Sequence, residues 1–340
     1  MRVRAVGWVM VAWVIPGCAT VLDYESEYRR ADSGVTDAGP SIFHAPGVAE
    51  QSCAAGLSCE GASCCESPEV PGSTFLMGCQ EGDRDYDEEP EHSVTLTSYR
   101  LDAFEVTVGR FRPFVEAVSG GWRPEQGGGS HPKIPGSGWL PAWDDELPRD
   151  GAEFTGNLKC IHYKHTWTDT PANNETYPIN CTNWYEALAF CIWDGGRLPT
   201  EAEWEHAAAG GDENRPYPWG EELPDCERVR MADCPEVGEP EPVTTPFVGV
   251  GTRVAGRSRW DQYDMAGSLW EWTFDGYSDY WYAGPGGTCR DCANVTPGPR
   301  SDRGGSFYES DAKSFRASYR GKDFPQNRAE WLGFRCARDP

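Results

Sequence analysis

The stretch that decides the fold reads GGRLPTEAEWEHAAAGG and covers residues 195–211. Within it, Thr200-x-x-Glu203 has the spacing of a capping box, in which each side chain bonds the backbone N–H of the other residue. Trp204 and Ala208 fall on one face of the helix that would follow, and a second Gly-Gly pair ends the stretch. The pattern predicts a short capped helix that begins after Thr200.

A second helix signal lies directly upstream. Asn183 has the side chain of an N-cap, and the first Gly-Gly pair is a stop signal. The apolar residues between them repeat at i, i+3, i+4, i+7 and i+8, which is helical spacing. They are Trp184, Ala187, Leu188, Cys191 and Ile192. Cys191 is therefore expected to face the core.

Shorter elements are expected in the first half of the chain. Thr74–Met77 reads as a strand between glycines, and Val94 and Leu96 alternate with polar neighbours as in a half-buried strand. Thr107 has the position of a cap for a short helix. The segment 120–178 is rich in Gly, Pro and Trp, which predicts ordered loops without regular structure.

Composition indicates an irregular, turn-rich fold. The 340 residues include 39 Gly, 27 Pro and 15 Trp, and only 39% are hydrophobic. Such a chain favours aromatic-filled cores over long helices. Its 54 acidic and 30 basic residues give a net charge of −24, which repels phosphate backbones and argues against a nucleic-acid partner.

The N-terminus has the pattern of an export signal. Two arginines precede an apolar run at 5–15 that is too short to cross a bilayer, and Ile-Pro-Gly-Cys18 follows it as in a bacterial lipobox. We expect residues 1–17 to be a lipoprotein signal peptide, lipidated Cys18 to anchor the chain to a membrane of the cell envelope, and residues 18–52 to be a flexible tether. The alternative is a simple secreted protein.

Export determines how the cysteines are interpreted. Thirteen remain besides Cys18, disulfides are their default state in an oxidising compartment, and an odd number leaves at least one unpaired. Four lie in a cysteine-rich lead-in at 53–70, where a disulfide knot is favoured over a zinc site. They are Cys53, Cys59, Cys64 and Cys65. Cys289 and Cys292 are expected to close a small loop, with redox work as the alternative.

Seven short motifs match one known family. In chain order they are FLMG, EVTVGRFRPF, GGRLPTEAEWEHAAAGG, YPWG, DMAGSLWEW, RGGSF and GFRCAR, and they span most of residues 70–338. Through these motifs the chain resembles the formylglycine-generating enzyme, or sulfatase-modifying factor, family. The resemblance implies an α+β fold for residues 71–340, a variant of the C-type-lectin fold with little regular secondary structure.

The resemblance also implies a chemistry and a departure from it. Active family members oxidise a cysteine of a sulfatase to formylglycine with copper and dioxygen, and two cysteines after RGGS hold the Cu(I). Here those positions fall near Glu309 and Ser314, and no cysteine lies between Cys292 and Cys336. Oxygen ligands are hard, whereas Cu(I) requires soft thiolates. We therefore expect copper, and the copper-dependent oxidation, to be absent.

Three residues match the family's substrate cleft. They are Trp270, Ser306 and Arg320. The alternative is that Trp270 is a core residue and that Arg320 forms an ion pair at the surface. A cleft without its metal suggests binding or a different chemistry.

Two structural features follow from the same resemblance. A structural calcium is implied at the side chains of Asp264 and Glu271 and the carbonyls of Gly267 and Leu269, because hard Ca²⁺ prefers such oxygen ligands. The alternative is that Asp264 caps a turn and Glu271 pairs with an arginine. The family also implies a disulfide between Cys191 and Cys336.

Together these observations predict an exported, lipid-anchored envelope protein whose sulfatase-modifying-factor domain binds a protein, peptide or glycan. The alternative is an oxidoreductase that acts on a protein or small-molecule thiol through an atypical metal site. A third possibility is a purely structural, disulfide-rich surface domain. The three differ in whether they take up oxygen and whether they capture a ligand.

Overall fold

The computed structural model describes residues 51–53, 56–79, 88–160, 164–232, 234 and 247–340. The predicted signal peptide, Cys18 and nearly all of the tether lie outside them. Ser52 is an exception, because its backbone N–H donates to Asp194 and its hydroxyl accepts a hydrogen bond from Arg110. Ser52 is buried, so the tether prediction was wrong at its C-terminal end.

Four α-helices are present in the described part of the chain, and none is long and apolar enough to cross a membrane. They are α1 (Val108–Ser119), α2 (Gly151–Asn157), α3 (Trp184–Trp193) and α4 (Glu201–Ala208). Thr107 caps α1, and the predicted capping boxes at the starts of α3 and α4 are both formed. Helix α2 was missed in the segment predicted as loops, since a seven-residue helix capped by Asp150 is too short to show a periodicity.

The strands are short and form four small sheets in the described residues. They are β1 (Ser58–Cys59), β2 (Ala62–Ser63), β3 (Glu69–Val70), β4 (Thr74–Met77), β5 (His92–Thr95), β6 (Tyr99–Leu101), β7 (Trp270–Gly276), β8 (Cys289–Arg290), β9 (Arg300–Arg303), β10 (Arg320–Asp323), β11 (Leu332–Gly333) and β12 (Ala337–Arg338). The largest sheet has the order β10-β9-β7-β11, in which β7 pairs antiparallel with β9 and parallel with β11.

Aromatic side chains fill the main core, as the composition predicted. Helices α1 and α3 contribute Phe111, Phe114, Trp184 and Phe190, and β7 contributes Trp272. A second cluster packs α4 against β4 and β5. Strand β7 contacts both α3 and α4. Trp184 of α3 donates a hydrogen bond to the carbonyl of Thr273, and Trp204 of α4 donates one to Glu271.

Disulfides link parts of the chain that are distant in sequence. Cys191 and Cys336 are bonded, with an S–S distance of 2.01 Å. The lead-in forms a knot of two bridges, 53–65 and 59–64. Three further bridges are 160–181, 226–234 and 289–292. No cysteine of the described residues is free, so the expected unpaired cysteine is not found among them.

Candidate functional site

A tight turn directs the chain from β9 into the candidate site. Gly304 and Gly305 have φ values of +98° and +72°, a region that side chains avoid. A Cβ on Gly305 would also lie 2.7 Å from the carbonyl oxygen of Ser314. The two glycines thus allow residues 306–319 to fold back over the end of the sheet.

Glu309 occupies the centre of this folded segment. Its Oε1 accepts a hydrogen bond of 3.1 Å from Nε1 of Trp270, and its Oε2 accepts bonds of 2.6 Å from both the backbone N–H and the hydroxyl of Ser306. The structure therefore brings together Trp270, Ser306 and Glu309, which the sequence had assigned to the cleft and to the first copper position.

Ser314 lies apart from any ligand set. It is buried in a 3-10 helix, Ala312–Phe315, and its backbone N–H donates to the carbonyl of Asp311. Within the described ranges, no group of three or more His, Cys, Asp or Glu side chains is arranged to hold a metal ion. A hydroxyl and a carboxylate held by three neutral donors do not fit Cu(I), which requires soft ligands.

Arg320 lies in a buried ion-pair network. Its guanidinium donates two hydrogen bonds, of 2.7 and 2.9 Å, to Glu201 at the start of α4. The same group lies over the rings of Tyr277 and Tyr282, 4.7 and 4.3 Å from their centroids. Glu201 and two tyrosine rings thus engage the Arg320 guanidinium, and its assignment to the cleft stays a prediction.

Arg303 connects that network to the site. It bonds Glu201 at 3.0 Å and also pairs with Glu205 of α4. On its other edge it donates to the carbonyls of Ala317 and Tyr319, at 2.9 and 3.0 Å. Arg303 thereby fixes the end of the folded segment to helix α4, and the burial of both partners makes this connection rigid.

The predicted calcium ligands lie in a separate buried cluster. Glu271 accepts two hydrogen bonds of 2.7 Å from Arg335 and one of 2.9 Å from Nε1 of Trp204. The alternative that Glu271 pairs with an arginine is therefore realised. Asp264 accepts a bond from the backbone N–H of Gly251, and burial raises its pKa to about 6.

Glu105 belongs to this cluster, although the sequence did not point to it. Its carboxylate accepts hydrogen bonds from the hydroxyl of Ser268 and the backbone N–H of Leu269. Burial, followed by repulsion from Asp264 and Glu271, raises the pKa of Glu105 well above its usual value. Gly267 contributes a positive φ of +75° to the turn. A lone Glu at the end of a strand-like stretch carries no signal of this long-range contact.

Asp302 is the second acidic residue that the sequence did not reveal. It lies in β9 opposite Gly321 of β10 and Trp272 of β7 and is only 5% exposed. Burial, and then the charges of Asp323 and Glu201, raise its pKa well above the usual range. A Cβ on Gly321 would lie 1.9 Å from Oδ1 of Asp302, so the carboxyl group requires glycine there.

Exposed aromatic rings surround the same end of the sheet. Trp270 is half-buried, and its ring lies 5.9 Å from that of Tyr319. Tyr308, Phe324 and Trp331 are 43%, 62% and 36% exposed. Tyr308 and Trp331 contact each other edge to face at 6.0 Å. Large exposed rings close together are typical of a surface that binds something.

Known proteins resemble most of this chain. The formylglycine-generating enzyme of Thermomonospora curvata is 32% identical over 295 residues, which cover 80% of this chain and 92% of that protein. The mouse protein named inactive C-alpha-formylglycine-generating enzyme 2 is 28% identical over 287 residues, which cover 79% of this chain and 84% of that protein. Among solved structures, PvdO from Pseudomonas aeruginosa has a TM-score of 0.54 at 22% identity and covers 80% of this chain and 93% of its own.

These comparisons confirm the predicted fold. The architecture is α+β with limited regular structure, in the sulfatase-modifying-factor fold that the motifs predicted. A family model for the sulfatase-modifying factor enzyme 1-like domain matches residues 59–340, which is most of the 340-residue chain. The relatives are matched over nearly their whole length. The chain therefore belongs to the sulfatase-modifying factor enzyme 1-like family, in which formylglycine-generating enzymes are found.

Proposed function

We propose that this chain binds a ligand at the surface around Glu309 and does not carry out copper-dependent oxidation of cysteine. One observation carries the proposal. The residue near the first copper position is a carboxylate whose oxygens already accept hydrogen bonds from Trp270 and Ser306. Glu309 thus acts as a structural centre of the cleft instead of a soft metal ligand.

The state of the cysteines supports the same conclusion. A Cu(I) site needs deprotonated thiols, and every cysteine in the described ranges is disulfide-bonded. Residues from elsewhere in these ranges therefore supply no thiolate to replace the missing pair. The alternative oxidoreductase would need a different metal and different ligands.

Similarity to relatives does not choose between these functions. A relative named as a formylglycine-generating enzyme is 32% identical, and one named as inactive is 28% identical. Function depends on the site and not on the fold. The ligand class that we propose is a protein, peptide or glycan, because exposed aromatic rings lie around Glu309.

The place of action is proposed from the N-terminal sequence alone. The apolar run at 5–15 and Cys18 support export and lipid anchoring in the cell envelope. Metabolic labelling with a palmitate analogue, followed by gel analysis, tests this. Label on the natural chain that disappears in Cys18→Ser supports the anchor, and unlabelled natural chain contradicts it.

Calcium stays a proposal for the cluster of Asp264 and Glu271. Burial and then the charges of Asp264 and Glu271 raise the pKa of Glu105. The charges of Arg335 and Arg253 oppose this repulsion only in part. A bound divalent cation would offset that repulsion.

The proposed calcium would take its remaining ligands from the carbonyls of Gly267 and Leu269. The test is the melting temperature with and without millimolar calcium. A rise that is absent in Asp264→Asn supports calcium, and an equal response of both proteins contradicts it.

The proposed function is tested by assaying the chain for the conversion of cysteine to formylglycine. The full chain, with its disulfides formed, is incubated with Cu(I), dioxygen and a cysteine peptide, and the aldehyde product is measured by mass spectrometry. The formylglycine-generating enzyme of Thermomonospora curvata serves as the positive control. We expect no aldehyde and no stoichiometric copper. The same incubation is repeated with Fe(II). Aldehyde formation with either metal would overturn the proposal in favour of the oxidoreductase.

A further inference from the structure

Three carboxylates converge at the end of the sheet formed by β10, β9 and β7. They are Asp302, Glu309 and Asp323, which we call the acidic corner. Asp302 and Trp270 both lie against Gly321 of β10, and Asp323 follows in the same strand. Glu309 accepts a hydrogen bond from Trp270. Besides burial, the charges of Asp323 and Glu309 raise the pKa of Asp302. Like charges in one place destabilise the free protein unless something offsets them. Their proximity therefore needs an explanation.

All hydrogen bonds to the acidic corner come from neutral donors. Those of Glu309 are the indole of Trp270 and the backbone and hydroxyl of Ser306. Asp323 accepts from the backbone N–H of Phe324 and from the amide of Asn327. No described Lys, Arg or His forms an ion pair with any of the three.

Some other buried acids of the described residues, such as Glu105 and Asp264, also have no ion pair, but they accept hydrogen bonds from neutral donors. Elsewhere, most buried acids contact a guanidinium. Asp102 and Asp194 each contact both Arg110 and Arg338, and Glu203 contacts Arg197. Buried charges are normally paired in this way because desolvation is costly. The acidic corner lacks such a partner among the described residues.

Asp302 is the member best suited to accept hydrogen bonds from a ligand. It is 95% buried, since 5% of its surface is exposed, and it has no hydrogen bond or ion pair within the described chain. Gly321 lies against both Asp302 and Trp270. A Cβ atom added to Gly321 would lie 1.9 Å from Oδ1 of Asp302 and 2.8 Å from Cζ3 of Trp270. The carboxylate therefore adjoins the edge of the indole ring.

The aromatic rings complete the arrangement. The rings of Trp270 and Tyr319 contact each other. Trp331 lies next to Trp270, because its backbone carbonyl accepts a hydrogen bond from the backbone N–H of Trp270. The faces of aromatic rings attract cations. The ammonium of Lys313 already lies 5.9 Å from the centroid of Tyr319. Trp270, whose edge adjoins the Asp302 carboxylate, is therefore the ring that we assign to an organic cation.

We propose that the acidic corner binds a primary ammonium group, of the kind that a lysine side chain carries, with Asp302 accepting its N–H donors and Trp270 contacting its alkyl chain. The inference rests on the proposed binding function and names its ligand class. A metal ion is disfavoured because the described acids are not arranged as a ligand set. A quaternary ammonium is disfavoured because it has no N–H for the unpaired carboxylate.

The test titrates the full, disulfide-bonded chain with two probes and follows tryptophan fluorescence and heat. The probes are n-butylammonium and the peptide acetyl-Gly-Lys-Gly-amide, and their controls are tetramethylammonium and the Nε-acetylated peptide. We expect butylammonium and the lysine peptide to bind and to compete with each other. The acetylated peptide should not bind, and tetramethylammonium should bind more weakly.

Variants assign the binding to Asp302. Asp302→Asn keeps the shape and removes the charge, and we expect it to weaken butylammonium binding about tenfold or more. Asp212→Asn makes the same change of net charge at an exposed acid that pairs with Arg259, and it should bind like the natural chain. Melting curves of both variants show that they are folded.

The outcomes separate this inference from the proposed function. Binding of neither probe, equal binding of the acetylated peptide, or unchanged binding by Asp302→Asn would overturn the ammonium site. Binding of the peptide without competition from butylammonium would overturn it as well, because the peptide would then be held by its backbone. Aldehyde formation in the copper assay would instead overturn the proposed function. A folded chain that makes no aldehyde and binds no ammonium contradicts this inference alone.

Discussion

Two neighbouring residues of β9, Asp302 and Arg303, belong to two different clusters of buried charge. Side chains of successive strand residues point to opposite faces. Arg303 lies on the face towards α4, where it bonds Glu201 and Glu205. Asp302 lies on the face of Trp272 and Gly321. No Lys, Arg or His of the described residues forms an ion pair with it, although the charge of Arg303 opposes the rise that burial causes in its pKa. One strand thus carries a satisfied network on one side and an unsatisfied charge on the other.

The acids paired with Arg303 stabilise the fold, whereas we assign the unpaired Asp302 to ligand binding. The acids beside Arg303 have their charges offset within the protein, and the arginines lower the pKa of Glu201 although burial opposes them. Burial and like charges instead raise the pKa of Asp302. The first arrangement holds a helix and a loop together, whereas the second becomes favourable only when a cation arrives.

The largest expected loss of stability comes from removing Arg303, the cation that pairs with Glu201 and Glu205. Arg303→Met leaves Glu205 buried without its cation and removes the donors to the carbonyls of Ala317 and Tyr319. Removing one partner of a buried pair costs about 3–5 kcal/mol. We expect a loss of that size in the free energy of unfolding, measured in urea. A loss no larger than that of the surface variant Asp212→Asn would refute the structural role of the network.

The unpaired side should respond with the opposite sign. Asp302→Asn removes a buried charge that has no partner, so we expect the free protein to gain about 1–3 kcal/mol at pH 8. The folded-state pKa of Asp302 lies above its unfolded value. The free energy of unfolding of the natural chain is therefore highest below the unfolded-state pKa of Asp302. It falls as pH rises through the folded-state pKa.

The pH series gives that prediction its control. The stability difference between Asp302→Asn and the natural chain should grow as pH rises, measured by urea unfolding from pH 4 to pH 8. A difference that stays constant with pH would show that Asp302 does not titrate in this range. A destabilised variant would show that the carboxylate has a partner in the free protein.

A smaller loss of stability is expected at Glu309, where Trp270 and Ser306 meet. Glu309→Gln keeps the size of the side chain, but its amide nitrogen cannot accept one of the three hydrogen bonds now made by Trp270 and Ser306. One unsatisfied neutral bond costs about 1 kcal/mol. Thermal melting measures this. A loss comparable to that of Arg303→Met would place Glu309 with the paired acids.

Local sequence signals were sufficient for the elements that build the site. The capping residues Asn183 and Thr200 specify where α3 and α4 begin, and the family motifs led to the bridge between Cys191 and Cys336. These features depend on short-range geometry or on a shared fold. The seven-residue helix α2 was missed because so short a helix offers little pattern to detect.

Long-range pairing explains what the sequence did not reveal. Asp302 sits in RSDR, where nothing in the letters shows that Gly321 and Trp272 are its neighbours in the sheet. The alternative of an ion pair for Arg320 named no partner, and the structure pairs it with Glu201, 119 residues earlier in the chain. Which face a strand residue occupies, and which charges meet it there, depends on contacts that only the folded chain defines.

The smallest effect should come from the outer member of the acidic corner. Asp323 is only half-buried, and Asn in its place keeps an oxygen for the backbone N–H of Phe324. Asp323→Asn should therefore leave stability nearly unchanged while weakening butylammonium binding about two- to threefold, the size of a solvent-screened Coulomb attraction. That loss should shrink in high salt, whereas the loss from Asp302→Asn should persist because its carboxylate contacts the ligand directly. Equal salt sensitivity of the two variants would mean that both acids act at a distance, and the contact to Asp302 would be refuted.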